Sequence, residues 1–265
     1  MTAKNPTQLK AWIKNLSKET SVEANIILQN YMLERLLERI SVSRYKDNFI
    51  LKGRNVNKCI RGFELSEENL TNILNEIIQI DVKDDVLFEL ILIKPIREEA
   101  DYNGFRVTIN AKFKTIIVNF KIDITAGDKI IPKEIEYKFN LMLEDRTINV
   151  LAYNLETVIS EKIETIISRN VGNTRARDYY DLYIIEKLQK KNYNPKILKQ
   201  AVIEKFKIRN TEGNLREIDD IVSDIENSQM LKDTWDNYRR DYSYAEDITF
   251  ENTIDSLKEF IKLIK

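Results

Sequence analysis

The sequence predicts an α+β fold, in which a mixed or antiparallel sheet flanked by helices is followed by a helical bundle. Alternating apolar segments separated by turn residues concentrate between positions 86 and 151, while apolar residues recur at helical spacing before and after them. The chain has only 6 Gly and 4 Pro and no low-complexity run, which is not typical of a flexible multi-domain string. The predicted domains are an α+β domain over residues 1–152 and a helical domain over residues 153–265.

The first elements are two helices with a strand between them. A helix is predicted over residues 20–41, because Thr20 and Glu23 fit a capping box and apolar residues then recur at helical spacing. The apolar strand at residues 49–52 follows. The next helix, over residues 66–80, begins with Ser66 and two acidic residues, which favour a helix start.

Five strands are predicted in the middle of the chain, over residues 86–94, 104–112, 115–125, 135–142 and 146–151. In the strand at 115–125, Lys121 and Asp123 share the face opposite the isoleucines. That pair is either an ordinary ion pair on a solvated face or part of a site.

From Asn154 onward the pattern is helical, with helices predicted over residues 155–169 and 177–190 and three or four more over 195–265, where Trp235 and Phe260 are expected in the core. Lys162 lies within the apolar stripe of its helix. Because burying an unpaired ammonium is costly, it either reaches an edge or meets an anion such as a triphosphate.

Two acids, Asp178 and Asp181, lie near the start of the second of these helices, where the helix dipole favours them. They either form a buried salt bridge with Arg175 or Arg177 or bind a metal ion.

Composition excludes several kinds of chemistry. The chain has 42 basic and 43 acidic residues, so nucleic acid would have to be held by a local patch. It has no His, which removes catalytic triads, His bases and His metal sites, and leaves Mg²⁺ held by carboxylates as the usual route. Cys59 is the single cysteine, no apolar run suffices for a membrane span and no signal core begins the chain, so we expect a cytoplasmic protein without membrane contact.

Three stretches carry a resemblance to a known family: KIDITAGDKIIPKEIEY at 121–137, LAYNLETVISEKIETIISR at 151–169 and NTRARDYYDLY at 173–183. Over roughly residues 5–190 the chain resembles the AbiEii/AbiGii toxins. The resemblance implies a nucleotidyltransferase-like sheet with a C-terminal helical domain, and a toxin of a bacterial toxin–antitoxin or abortive phage infection system. It also implies Mg²⁺-dependent transfer of nucleotides from NTP to tRNA or another translation component. The implied partner is a DNA-binding antitoxin that does not contact the toxin directly.

The resemblance also assigns roles to individual residues. Asp123 would be the third metal carboxylate, Lys162 would contact the triphosphate and Asp178 would be the acid of the final motif. The remaining nucleotide-binding positions would be Lys52, Gly53, Lys121, Arg175 and Arg177.

One stretch, FILKGRNVNKC at 49–59, departs from the family. Asn55 and Asn57 occupy the register of an Asp-x-Asp metal pair, and a neutral amide is a weaker Mg²⁺ ligand than a carboxylate. The chain is therefore a natural pseudo-enzyme, carries deliberate Asp→Asn changes, or lacks an internal segment near residue 54. The alternative function is a catalytically silent nucleotide- or RNA-binding member of the same fold.

A further alternative places the working surface in the helical tail. Basic residues at Lys187–Lys191 and Arg239–Arg240, with tyrosines beside them, are either an RNA-binding patch or solvated helix ends. The tyrosines are Tyr238, Tyr242 and Tyr244.

Overall fold

The computed structural model describes residues 3–52, 57–96, 104–126 and 129–265, with the backbone alone described at 57–59. The chain divides into two compact units. The first comprises Met1–Asp128 and Glu134–Tyr153, and the second comprises Lys129–Lys133 and Asn154–Lys265. In the described part of the chain, no helix is both long and apolar enough to cross a membrane.

The first unit is built on a seven-stranded mixed sheet, which confirms the predicted α+β class. Its strands are β1 Phe49–Lys52, β2 Asn57–Ile60, β3 Val86–Pro95, β4 Gly104–Phe113, β5 Ile116–Ala126, β6 Ile135–Asn140 and β7 Thr147–Ala152. They lie in the order β3-β4-β5-β2-β1-β7-β6. The β2–β5 and β1–β7 pairs are parallel and the others antiparallel. Six of these segments match predicted strands or lie within a residue or two of them, whereas β2 is not among the predictions.

The helices described in this unit are α1 Pro6–Thr20, α2 Ala24–Val42 and α3 Glu67–Ile78. The predicted capping box is wrong, because Thr20 ends α1 and its hydroxyl donates to the Leu16 carbonyl at 2.7 Å. Glu23 precedes α2 without a side-chain cap. Helix α1 was not predicted, although Asn5 caps it and Pro6 occupies its first turn.

The buried face of α2 carries charged residues as well as apolar ones. The guanidinium of Arg39 donates to both oxygens of Asp84, at 2.7 and 2.8 Å, and to the carbonyl of Val86 at 2.7 Å. Glu34 accepts from the Met142 amide at 3.0 Å. Burial raises the pKa of Glu34 to about 7, against the lowering effect of that amide and of Arg35.

The second unit is helical. Its helices are α4 Leu155–Arg169, α5 Ala176–Gln189, α6 Pro195–Ile208, α7 Ile218–Asn227, α8 Gln229–Asp241 and α9 Phe250–Ile264. Trp235 and Phe260 are buried in its core as predicted, and the Trp235 indole donates to the Ile248 carbonyl at 2.9 Å. Asn154 caps α4, and its amide donates to the carbonyls of Ile131 and Lys133, which ties residues 129–133 to this unit.

Candidate functional site

Strand β5 places Asp123 on the sheet face opposite the core. Ile122 and Ile124 are buried, while Lys121 is exposed and Asp123 is partly buried, as the alternation of the strand predicts. This face also carries polar side chains from β4, where Asn110 accepts from Asn119 at 3.0 Å. The predicted pair of Lys121 and Asp123 therefore lies on an accessible polar surface of the first unit.

In the described part of the chain, Asp123 is paired with Arg106, a residue that the sequence did not single out. Arg106 lies directly opposite Asp123 in the β4–β5 ladder. Its Nε and Nη2 donate to the two carboxylate oxygens at 2.7 and 2.8 Å, a bidentate pair. The side chains are 51% and 26% exposed. A signal for this pair does exist, because counting outward from a two-residue turn at Lys114 and Thr115 pairs these positions.

The ladders continue this pairing across the sheet. Lys94 lies opposite Arg106, and Lys52 lies opposite Asn57. Strands β2 and β5 are parallel, with Lys58 opposite Ile124. Asn57 and Asp123, the residues before these two, therefore lie level with each other. We call this set the Arg106 row: Lys94, Arg106, Asp123, Asn57 and Lys52.

The Arg106 row contains two of the residues assigned to nucleotide or metal binding by resemblance, Lys52 and Asp123, together with Asn57 at the backbone level. The Lys52 ammonium lies 5.6 Å from the centre of the Tyr153 ring. Gly53 and Asn55 lie outside the described residues. The row brings positions from β1, β2 and β5 to one line, but that line is dominated by basic side chains.

These residues do not fit a Mg²⁺ ion. Magnesium requires hard oxygen ligands, and one or two carboxylates commonly supply them. Both oxygens of Asp123 are taken by a guanidinium, and Asn57 supplies no carboxylate. Within residues 3–52, 57–96, 104–126 and 129–265, no group of three or more acidic, His or Cys side chains could hold a metal.

The second unit contains the other predicted positions. The Lys162 ammonium on α4 contacts Asp181 at 2.6 Å and Asp178 at 3.2 Å on α5, and the three side chains are largely buried. The anion that Lys162 meets is thus a pair of carboxylates of the chain itself. The predicted arginine partner of Asp181 is secondary, since Arg177 lies 4.0 Å away. Arg175 precedes α5 and is exposed.

Tyrosines of the helical tail form a ring cluster beside these residues. The Tyr180 and Tyr244 ring centres lie 4.8 Å apart, and those of Tyr238 and Tyr242 lie 4.7 Å apart. The hydroxyls of Tyr238 and Tyr244 are 2.8 Å apart. Arg239 is turned to the Glu246 carbonyl, so its guanidinium is engaged within the chain.

The family model that describes the nucleotidyl transferase AbiEii toxins of type IV toxin–antitoxin systems matches residues 60–257. The chain belongs to the AbiEii family. The matched segment includes Asp123, Lys162 and Asp178, and membership in a type IV toxin family implies an antitoxin partner.

Two solved structures resemble the AbiEii chain in outline. One is a protein of H. pylori described as a candidate nucleotidyltransferase, 15% identical, covering 92% of this chain and 96% of its own, with a TM-score of 0.46. The other is JHP933 from Helicobacter pylori, 15% identical, covering 92% of each chain, with a TM-score of 0.45. Among curated protein sequences, none matches this chain. At this level the structural likeness says nothing about activity.

Proposed function

We propose that this AbiEii-family chain is a nucleotide-binding protein in which Mg²⁺-dependent nucleotidyl transfer has been lost. The observation that carries the proposal is the bidentate contact of Arg106 with Asp123. A carboxylate whose two oxygens accept from a guanidinium is already charge-compensated, so a metal would have to displace that cation. Residues 55 and 57 are asparagines, so they supply no negative charge that would restore metal binding.

The second candidate is an active nucleotidyltransferase that moves a nucleotide from NTP to tRNA or another translation component. The contacts of Lys162 favour it. Asp178 and Asp181 hold its ammonium, which the family resemblance assigns to contact with the triphosphate. A lysine ammonium held between two carboxylates can exchange one of them for a phosphate oxygen. This candidate needs Mg²⁺ at Asp123, which the geometry there disfavours.

For either candidate, family membership supports the same biological setting. We propose a cytoplasmic role in phage defence, countered by a DNA-binding antitoxin that does not contact the chain. The two candidates differ only in whether the toxin acts by transfer or by binding.

A transfer assay separates the two. The purified chain is incubated with radiolabelled NTPs, Mg²⁺ and total tRNA, and label is followed both in the protein-bound nucleotide and in RNA. We expect label retained by the protein and none in RNA. Label that enters RNA, is lost with Asp123→Ala and is kept with Asp145→Ala, a substitution in an exposed turn, would replace the first candidate with the second.

A further inference from the structure

Three of the five positions of the Arg106 row are basic, and the row lies on the sheet face opposite the core. Its basic residues are Lys94, Arg106 and Lys52, and its acidic residue is Asp123. Lys121 adds a fourth basic group on the same face, opposite Thr108, which lies two residues along β4 from Arg106. Lys94 and Lys121 are exposed. Where a metal site of this family would collect negative charge, the described part of this face collects positive charge.

The spacing of these cations suits a short polyanion. Neighbouring strands lie about 5 Å apart, which is the separation of Lys94 and Arg106 at the backbone level. Lys121 is diagonal to Arg106, at about 7–8 Å between backbones. Three flexible or planar cations within that span can contact successive phosphates of one triphosphate.

Asp123 gives Arg106 a fixed orientation. A bidentate carboxylate holds the guanidinium plane without removing its charge, because arginine stays protonated. Glu89 lies opposite Asn110, four residues along β4 from Arg106, so it does not adjoin Arg106 in the ladder. Asp123, which the family resemblance assigns to a metal ion, binds the Arg106 guanidinium in this chain.

We propose that the triphosphate of a nucleotide binds at the Arg106 row directly, without Mg²⁺, with Arg106 as the central cation and Lys94 and Lys121 beside it. This inference rests on the proposed nucleotide binding. Arg106, Lys94 and Lys121 together bring positive charge of the chain itself to the phosphates, and Asp123 offsets one unit of it.

Calorimetric titration of the full chain with ATP, in EDTA and in excess Mg²⁺, tests the inference. We expect similar affinity in both buffers, within about threefold, and about a tenfold loss with Arg106→Ala in EDTA. Lys112→Ala, further along β4 on the same face, is the matched control and should change affinity less than about twofold, given its distance and solvent screening. Binding that requires Mg²⁺ would overturn the inference and leave nucleotide binding intact. No binding in either buffer would overturn both.

The effect of Asp123→Asn on ATP affinity distinguishes binding through a metal ion from binding through Arg106. If Asp123 holds a metal, the substitution removes ATP binding. If Arg106 is the cation, removing a negative charge beside the phosphates leaves affinity within about threefold or tightens it. Arg106→Lys, with a thermal melt to confirm folding, should retain part of the affinity because the charge remains.

A single-stranded RNA with a 5′-hydroxyl is the second probe, since backbone phosphates share this chemistry. We expect Arg106→Ala to leave its affinity within about twofold. A large loss for this RNA with none for ATP would assign the row to a nucleic-acid backbone and overturn the inference.

Discussion

Two arginine–aspartate pairs in the first unit have the same contacts and opposite surroundings. Arg39 donates to the two oxygens of Asp84 at 2.7 and 2.8 Å, and Arg106 donates to those of Asp123 at the same two distances. The side chains of the first pair are 3% and 1% exposed, whereas those of the second are 51% and 26% exposed.

The two pairs therefore differ in burial and not in contact geometry, and we expect burial to decide how much each pair contributes to stability. The Arg39 pair fixes the start of β3 against α2, and each of its charges is desolvated, so losing one partner leaves the other uncompensated. The Arg106 pair is screened by solvent and contributes little to stability. In the proposed function its role is electrostatic, because the guanidinium of Arg106 compensates the charge with which Asp123 would attract a metal ion.

The largest effect is expected when the buried pair is broken. Asp84→Ala should lower the free energy of unfolding by about 3–5 kcal/mol, because Arg39 is left as a buried, unpaired charge. Urea denaturation of the variant measures this. An Arg39→Met/Asp84→Leu double variant should regain most of the loss, and a loss below about 1 kcal/mol for the single variant would show that the site is hydrated.

A smaller effect is expected from pH, through the buried carboxyl of Glu34 on the same helix. Its pKa is raised from 4.5 to about 7, so the folded chain binds a proton that the unfolded chain has released. Stability from this group is therefore present at low pH and falls as pH rises from 4.5 to 7, by at most about 3 kcal/mol.

The chain has no histidine, so no histidine titrates between pH 5.5 and 7 to obscure this slope. Urea denaturation across that range should show stability decreasing with pH, and Glu34→Gln should flatten the profile. A profile that rises with pH, or one that Glu34→Gln leaves unchanged, would contradict the assignment.

The smallest effect is expected at the exposed pair. Asp123→Ala should change the free energy of unfolding by less than about 1 kcal/mol, since the pair is solvent-screened. The same denaturation experiment in low and high salt should show that even this difference shrinks. A cost above about 2 kcal/mol would place Asp123 with the structural pairs and remove the contrast with Asp84.

Much of the fold follows from local patterns. Helix α4 occupies the predicted residues 155–169, because Asn154 caps it and its apolar stripe has helical spacing. Strand β2 could not be predicted in this way, since four residues are too few to show an alternation and its pairing with β5 is non-local. Helix α1 was missed despite an adequate start signal at Asn5 and Pro6.

The site was predictable only in part. Alternation in β5 places Lys121 and Asp123 together on the outer face, because that is a property of one strand. The partner of Asp123 depends on the register of two strands, and the partners of Lys162 depend on how α4 packs against α5. Neither is contained in the periodicity of a single element.

Manganese binding tests the central claim most directly, namely that Arg106 occupies Asp123 in place of a metal. Mn²⁺ is added to the full chain and the free ion is measured by electron paramagnetic resonance, with the Asp123→Asn variant as the matched control. We expect the unmodified chain and the variant to leave the free Mn²⁺ signal equally unchanged. If the unmodified chain removes one equivalent of Mn²⁺ and Asp123→Asn does not, Asp123 is a metal ligand and the account is contradicted.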